Sequence, residues 1–408
     1  MSTSVAAPGT RAAPSTYSAP PARRLESVDL LRGIVMIIMA LDHVRDYFGG
    51  ASVDPTNLAT TTVPLFFTRW ITHFCAPTFF LLTGTGAYLS ARRRGTAGLS
   101  RFLVTRGLWL ILLDAVVMRC LSMQFNFDFR VTILIVLWAL GWSMITLAAL
   151  VRWPVIVSAI FGTALILGHN LFDGVNAASL GALRPLWLFL HQPGLLFTDG
   201  QHFLIVAYPI VPWIGVTAVG YALGALYDWE PAKRNAFLLR AGIAITLAFV
   251  LVRALNVYGD PRPWSAQSTS MFTLLSFLNV TKYPPSLSFL LMTLGPALLF
   301  LRAADARTPA WLRPALVYGR VPMFYYIVHF TLIHALAVVV CWFRYGSIHW
   351  MLESQTPDRY PFTAPPGWPL SLGVVYIIWI GLVVALWPVC RWFGGVKARR
   401  REWWLSYL

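Results

Sequence analysis

Residues 24–48 read RLESVDLLRGIVMIIMALDHVRDYF, an apolar run that also contains Asp29, Arg32, Asp42 and His43. The run is long enough to cross a bilayer as one helix, although an ionisable group in lipid costs ~2.5–3.5 kcal/mol on insertion scales. Arg32 and His43 are eleven residues apart, almost three helical turns, so both side chains point to one face, about 16 Å apart along the axis. The stretch therefore predicts a membrane helix that keeps its charged groups for a function.

The composition of the whole chain is that of a membrane protein. Of its 408 residues, 57% are hydrophobic and 12% are charged, whereas an ordinary soluble domain is roughly 25% charged. The formal net charge is +16, but the basic residues lie in short clusters between apolar runs, the pattern that sets membrane orientation. We expect an integral, multi-pass protein in contact with the lipid bilayer and without a nucleic-acid partner.

Apolar runs of the length of a spanning helix recur along the chain. We predict an all-α bundle of about ten transmembrane helices, at residues 28–48, 65–90, 102–119, 131–150, 154–172, 203–227, 236–257, 286–302, 315–343 and 370–390. The intervening segments alternate in Lys and Arg content. Because cytoplasmic loops are the ones rich in these residues, this alternation predicts that both termini are cytoplasmic.

The two ends of the chain differ in composition from the apolar runs. Residues 1–24 are mostly small and polar and lack the apolar core of a signal peptide, which predicts a disordered cytoplasmic tail. We assign residues 25–392 to a transmembrane domain and residues 393–408 to a basic cytoplasmic C-terminal tail. The four cysteines form no CxxC pair, and no His and Cys spacing typical of a metal site occurs, so we expect no metal.

Four histidines fall inside predicted spans and away from the loops, namely His43, His73, His329 and His334. His169, close to the end of the span 154–172, is assigned no role. By the predicted topology, all four lie between mid-depth and the outer surface. Histidine takes and gives protons near neutral pH, so this cluster indicates acid–base chemistry. His334 lies about 140° around the helix from His329, so we do not expect these two to act as a pair. For His73, a structural imidazole near the interface remains the alternative.

The sixth span contains Pro209 and Pro212 within one turn. Two prolines so close together break the hydrogen-bond ladder of a helix. Broken helices at membrane depth line cavities or are buried in protein. We therefore expect Tyr208 and Trp213 to be wall residues of a binding cavity.

Two further charged residues lie in or beside the predicted spans. Lys282 precedes a Pro pair at the start of the eighth span and is a candidate to bind an anion or an acceptor; a snorkelling lysine is the alternative. Asp114 lies within the third span. A carboxylate in lipid requires a partner, and we expect Arg106, Arg119 or a histidine from another span.

These motifs resemble the bacterial branch of the heparan-alpha-glucosaminide N-acetyltransferase (catalytic domain) family, within a wider group of transmembrane acyltransferases. The resemblance covers about residues 24–390. Its matching residues are 27–33 (SVDLLRG) with Asp42 and His43, 72–77 (THFCAP), 208–215 (YPIVPWIG) with Gly220 and Tyr221, 282–285 (KYPP) with 293–296 (TLGP), and 319–323 (GRVPM) with His329 and His334. The arginine and histidine of the first span also resemble a pair in the acyltransferase-3 family.

The resemblance implies an enzyme of the bacterial plasma (inner) membrane. Such an enzyme takes an acyl group, usually acetyl, from cytosolic acyl-CoA and passes it to an amine or hydroxyl of an extracytoplasmic sugar or glycan. Acetyl-CoA is then a donor substrate. This sequence departs from the lysosomal enzyme of the family at two positions. The key histidine of that enzyme aligns near Val63, and an aspartate of its second span aligns at His73, so neither residue is present here. The resemblance therefore does not identify the catalytic residue or imply a glucosamine acceptor.

Acyl transfer from a thioester requires a base for the acceptor, donors for the oxyanion and a site for the CoA phosphates. We expect His43 to be the base, with His73 and His334 as the next candidates. Asp42 and Asp46 are candidates to orient His43, and Asp46 at i+3 is the better helical neighbour.

Both substrates also require binding residues. We expect Arg32 to meet a CoA phosphate or the pantetheine carbonyl, with Asp29 beside it; an arginine that only sets topology is the alternative. We expect the acceptor to contact Lys282, Tyr208 and Trp213, and also His329.

Two other functional classes are compatible with the sequence. A proton-coupled transporter would use His43, Asp42 and Arg32 as a relay, and a non-catalytic membrane subunit of envelope assembly would need none of them. A homo-oligomer is compatible with each of these functions.

Overall fold

The protein is described by a computed structural model over residues 25–50, 54–353, 356–359, 361–400 and 402–407. The predicted tail at residues 1–24 lies outside the described residues. The described part is mostly helical. Its α-helices are α1 (Glu26–Phe48), α2 (Val63–Thr72), α3 (Cys75–Leu112), α4 (Val136–Leu150), α5 (Val155–Gly168), α6 (Arg184–Leu190), α7 (Val211–Gly224), α8 (Pro231–Leu255), α9 (Ser270–Leu278), α10 (Leu287–Ala306), α11 (Leu316–Arg320), α12 (Pro322–Tyr345), α13 (His349–Leu352) and α14 (Leu372–Arg399).

Shorter helical turns extend or connect these helices. A π-helical segment, Leu113–Met123, continues α3, and 3₁₀ turns occupy His169–Phe172, Ala177–Leu183, Ala225–Asp228, Ala310–Ala315, Pro357–Arg359 and Trp403–Ser406. Helix α14 continues to Arg399, past residue 393, where the sequence analysis begins the C-terminal tail.

A small sheet is the part of the fold that the all-α expectation misses. Its strands are β1 (Val131–Leu134), β2 (Gly194–Thr198) and β3 (Phe203–Val206), in the order β1-β3-β2. β1 is parallel to β3, and β2 is antiparallel to it. The expectation that residues 131–150 and 203–227 are helical throughout was therefore wrong at their first residues. β-Branched and aromatic residues dominate both starts and favour strands.

Five helical segments among the described residues are long and apolar enough to cross a membrane. They are Val155–Phe172, Pro231–Leu255, Leu287–Ala306, Pro322–Tyr345 and Leu372–Arg399. Other predicted spans fall on interrupted helices. The run at 65–90 is divided between α2 and α3, and α3 itself bends at Gly95, whose φ is +64°.

Helix α1 lies within the bundle and packs against α2, α3, α10, α11, α12 and α14. Its closest approach is to α11, where Gly33 and Gly319 meet. A Cβ on Gly33 would lie 1.9 Å from the carbonyl oxygen of Ala315, and a Cβ on Gly319 would lie 1.8 Å from that of Asp29. Small residues let helix backbones approach this closely in membrane proteins. The contact fixes the Arg32 end of α1 against α11.

Candidate active site

The centre of the candidate site is a pair of histidines from α1 and α12. His43 Nδ1 and His329 Nε2 are 2.9 Å apart, and the two rings are stacked with centroids 5.1 Å apart. Tyr325, one turn before His329 on α12, places its carbonyl oxygen 2.6 Å from His329 Nδ1. The sequence analysis places His43 and His329 in separate roles, whereas the structure brings them into direct contact.

The hydrogen bonds of the pair determine its tautomers. A carbonyl oxygen only accepts hydrogen bonds, so His329 Nδ1 carries a proton and donates it to Tyr325. In the neutral ring His329 Nε2 then has a lone pair, and it accepts the proton of His43 Nδ1. The remaining nitrogen of neutral His43, Nε2, therefore has a lone pair. This is the state that a general base requires.

Aromatic side chains enclose the pair. The Phe330 ring lies 4.3 Å from His43, and the Tyr326 ring lies 5.8 Å from His329 and 6.2 Å from His43. His329 is fully buried, whereas His43 is partly exposed. His43 is thus the more accessible member of the pair, and His329 contacts it from the buried side.

The two carboxylates near His43 pair with arginines. Asp42 contacts Arg45, with 2.9 Å between Oδ1 and Nη2, and also pairs with Arg69 from α2. Asp46 contacts the same Arg45 at 2.5 Å. In the described part of the chain, the group that orients His43 is therefore His329. The arginines compete for the carboxylates because an ion pair offsets the cost of burying both charges.

One cavity, here called the inner cavity, opens beside the Arg32 end of α1 and has a volume of about 320 Å³. Its wall is mainly apolar and includes Met39 and Tyr326 near the histidine pair. Cationic side chains from three helices and from the end of α14 also line it: Arg32, Arg94, Arg106, Arg320 and Lys397. This combination of cations and apolar wall suits a ligand with a polyanionic end and an apolar arm.

Arg32 lies between the inner cavity and α11. Its Nη1 is 3.0 Å from Asp29 Oδ1 and donates to the carbonyl oxygen of Gly319 at 3.2 Å. The pairing with Asp29 agrees with the i, i+3 spacing. Since Arg32 also lines the inner cavity, it faces any ligand bound there.

A second cavity, here called the outer cavity, lies at the Phe48 end of α1 and has a volume of about 600 Å³. Its wall includes His73, Lys282 and Tyr283, together with Arg45, Asp46, Asp54, Arg69 and Arg262. Cations outnumber carboxylates in this wall. His43 lies on α1 between Met39 of the inner cavity and Arg45 of the outer one.

Three of the predicted site residues line the outer cavity, namely Asp46, His73 and Lys282. His73 is 2% exposed, and its Nδ1 has no hydrogen-bond partner among the described residues. Lys282 precedes the loop that enters α10 and lies 5.2 Å from the centre of the Tyr283 ring. Tyr208 reaches this wall indirectly, because its hydroxyl is 3.5 Å from that of Tyr283.

Other candidates lie away from both cavities. Trp213 is buried in the core, stacked on Phe80 at 4.5 Å and on Tyr208 at 5.5 Å. His334 has both ring nitrogens at carbonyl oxygens, Nδ1 at 2.9 Å from Ser122 and Nε2 at 2.7 Å from Met351. These contacts favour a structural role for His334.

Within the described part of the chain, Asp114 has no arginine or histidine partner of the kind expected from the sequence. Its Oδ2 accepts a hydrogen bond of 2.8 Å from the backbone N–H of Ile135, which precedes α4. A carboxylate is favourable at a helix N-terminus because free N–H groups and the helix dipole meet it there. Arg119 instead pairs with Asp128 at 2.6 Å.

Several residues of the site have no role in the sequence analysis, or a different one. Arg69 pairs with Asp42, Arg320 and Lys397 line the inner cavity, and Arg106, which was expected to pair with Asp114, lines it as well. The basic clusters were an available signal, but they have the same composition as clusters that only set topology. Tyr326 follows Tyr325 in a run of aromatic residues, and nothing in the sequence pattern distinguishes it.

A family model described as heparan-alpha-glucosaminide N-acetyltransferase, catalytic, matches residues 24–259. The match includes His43 and His73 and ends before Lys282 and His329. No curated protein matches the chain.

Proposed function

Since the chain belongs to the heparan-alpha-glucosaminide N-acetyltransferase catalytic family, whose activity is of the transmembrane acetyltransferase type, we propose that it moves an acyl group across a membrane. The donor is cytosolic acyl-CoA, most simply acetyl-CoA, and the acceptor is an amine or hydroxyl of an extracytoplasmic glycan. The observation that carries this proposal is the position of His43 between a cationic inner cavity and a polar outer cavity.

The proposed topology has ten spans and places both termini in the cytoplasm of a bacterial cell, with the domain at residues 25–392 in the plasma membrane. The tails at residues 1–24 and 393–408 are then cytoplasmic. The cations of the inner cavity support this orientation, because Arg94 and Lys397 belong to the basic segments that the positive-inside rule assigns to the cytoplasm. One chain lines both cavities, so the scheme does not require a homo-oligomer, although it is compatible with one.

The inner cavity is the proposed donor site. Arginine forms bidentate contacts with phosphate, so the cations Arg32, Arg106 and Arg320 suit the phosphates of CoA. The apolar wall that leads to Met39 suits the pantetheine arm. From Arg32 to His43 the axial rise of α1 is about 16 Å, a separation that an extended arm covers. The thioester then lies near the histidine pair.

The proposed reaction begins when His43 Nε2 takes a proton from the acceptor amine or hydroxyl. The acceptor atom attacks the thioester carbonyl carbon, and the carbon–sulfur bond breaks when the tetrahedral intermediate collapses. The CoA thiolate leaves and takes the proton from the His43 imidazolium, so CoA is released as a thiol and the base returns to its neutral state. His329 supports the step because its Nε2 holds His43 in the required tautomer and stabilises the imidazolium.

The outer cavity is the proposed acceptor site. Lys282, Tyr283 and His73 line it, and polar groups of these types hydrogen-bond sugar hydroxyls or an anionic substituent. Tyr208 acts through Tyr283 in this scheme. The free Nδ1 of His73 makes this residue the second candidate for proton transfer from the acceptor.

Acetyl-CoA binding and turnover by the purified protein test the proposal. We expect micromolar binding and slow release of CoA, and we expect His43→Ala to keep binding while it loses turnover. An enzyme is excluded if the protein neither binds nor consumes acetyl-CoA and His43→Ala changes only ion flux, as a transporter requires. Mass spectrometry of envelope glycans from cells with and without the gene then identifies the acceptor as the glycan that loses an acyl mass.

A further inference from the structure

A second cluster of titratable side chains lies outside the proposed active site, at the end of α5. It consists of His169 in the 3₁₀ turn that follows α5, Asp173 just after this turn, and His191 directly after α6. One potential ligand atom from each residue lies within 4.8 Å of the other two. The closest pair is His191 Nε2 and Asp173 Oδ1, at 3.3 Å.

Three of the four imidazole nitrogens of this cluster are buried without a hydrogen-bond partner in the described part of the chain. His169 is 3% and His191 is 5% exposed. Both ring nitrogens of His169 and Nε2 of His191 have no hydrogen-bond partner among the described residues. A buried polar atom without a partner costs about 1–3 kcal/mol. Three such atoms in two adjacent rings indicate a ligand that binds between them.

The carboxylate of the cluster is held in place by a neighbour. Asn170 Nδ2 donates to Asp173 Oδ2 at 2.7 Å, and Asn170 Oδ1 accepts from the backbone N–H of Leu287 at 2.8 Å. One oxygen of Asp173 is thus fixed, and the other faces His191. Metal-binding carboxylates are commonly oriented by hydrogen bonds of this kind.

The spacing of the closest pair in the cluster suits a tetrahedral ion. Zinc binds imidazole nitrogen and carboxylate oxygen at about 2.0–2.2 Å, which places two ligand atoms of a tetrahedron about 3.3 Å apart. This matches the separation of His191 Nε2 and Asp173 Oδ1. Two imidazoles and one carboxylate are a donor set that suits zinc among the divalent metals.

We propose that His169, Asp173 and His191 bind one Zn²⁺ ion, with water in the fourth position. Asp173 is 20% exposed, which leaves a path for the ion and the water. The ion joins the end of α5 to the segment that contains α6, and through Asn170 it is linked to the start of α10. The expectation of no metal arose because the three ligands are not in a compact His and Cys motif. Asp173 is four positions after His169, and His191 is eighteen positions after Asp173.

The metal content of the purified full chain in detergent tests this proposal. After loading with Zn²⁺ and removal of excess ion, we expect one zinc per chain by elemental mass spectrometry. His191→Ala and Asp173→Asn are each expected to weaken Zn²⁺ binding about tenfold or more in competition with a chelating dye. His202→Ala is the matched control, since His202 also faces a carboxylate, Asp199 at 2.8 Å, but in an exposed pair without a third ligand.

Two further measurements keep the result independent of activity. Co²⁺ in the site is expected to give the visible absorption bands of a tetrahedral ion, and His191→Ala is expected to lose them. Zn²⁺ is expected to raise the melting temperature of the unmodified chain and of His202→Ala, but not that of Asp173→Asn. The proposal is overturned if the chain retains no zinc, or if His191→Ala and Asp173→Asn bind zinc as tightly as the His202→Ala control. An active acyltransferase with no zinc would reject the metal site alone.

Discussion

Replacing His329 with alanine is expected to slow acyl transfer about 5- to 150-fold. The substitution removes the acceptor of the His43 Nδ1 proton, and a buried donor without a partner costs about 1–3 kcal/mol. At 1.36 kcal/mol for each factor of ten in rate, this range corresponds to the stated slowing. Replacing His43 itself removes the base and is expected to slow the reaction about 10²- to 10⁴-fold.

The double substitution distinguishes a working pair from two independent residues. His329 acts through His43, so His43→Ala/His329→Ala is expected to be no slower than His43→Ala alone. Residues that act as one unit are strongly non-additive in this way. If the two histidines acted independently, the two factors would multiply.

Release of the CoA thiol from acetyl-CoA, followed under single-turnover conditions with purified protein, measures these rates. His349→Ala is a suitable control, because His349 bonds Ser347 in an exposed turn away from both cavities. The proposed pair is refuted if His329→Ala retains the full rate, or if the double variant is slower than His43→Ala by the whole His329 factor.

Three other predictions concern binding and stability. Arg106→Ala is expected to raise the Kd for CoA about tenfold by titration calorimetry, whereas Arg101→Ala, on the same helix but outside the inner cavity, leaves it unchanged. Gly33→Ala is expected to destabilise the protein by about 1–3 kcal/mol, because the added Cβ would collide with the carbonyl oxygen of Ala315. A lower melting temperature measures this loss. Gly381→Ala is the control, since a Cβ at Gly381 would have no atom within 4 Å. His334→Ala is expected to lower the free energy of unfolding by about 1–3 kcal/mol, because the His334 ring nitrogens bond two carbonyl oxygens. The folded fraction is expected to keep its acyl-transfer rate. A lost rate at unchanged stability would contradict this prediction.

Local features of the site follow from the sequence where the physics is local. Arg32 pairs with Asp29, as the i, i+3 spacing predicts. Pro209 lies in the segment between β3 and α7. Helix α7 begins at Val211, and Pro212 lies in its first turn, where the N–H that proline lacks would have no partner in the helix. In these cases the partners are close in sequence, so helix geometry is sufficient.

Partners distant in sequence were not predictable in the same way. His43 and His329 are separated by 286 residues, and only the packing of α1 against α12 brings them together. Helical spacing favoured Asp46 as the group that orients His43, but the Asp46 carboxylate pairs with Arg45 instead. A single sequence does not indicate which of several nearby charged groups a carboxylate will pair with.

The cations of the inner cavity were also not predictable as a group, because composition does not show which basic residues come together in the fold. Its cations come from α1, α3, α11 and α14, and two of them, Arg94 and Lys397, belong to basic clusters that the positive-inside rule already explains. Their convergence on one cavity is a property of the tertiary fold. The cluster of His169, Asp173 and His191 was missed for a related reason, since only the tertiary fold brings the end of α5 next to the end of α6.

A structure of the protein with CoA bound tests the central claim most directly, because the claim assigns each end of the donor a place. We predict phosphates within contact distance of Arg32, Arg106 or Arg320, and the thiol at the Met39 and Tyr326 end, next to His43. CoA bound elsewhere, or with its thiol at the arginine end of the inner cavity, would contradict transfer at His43.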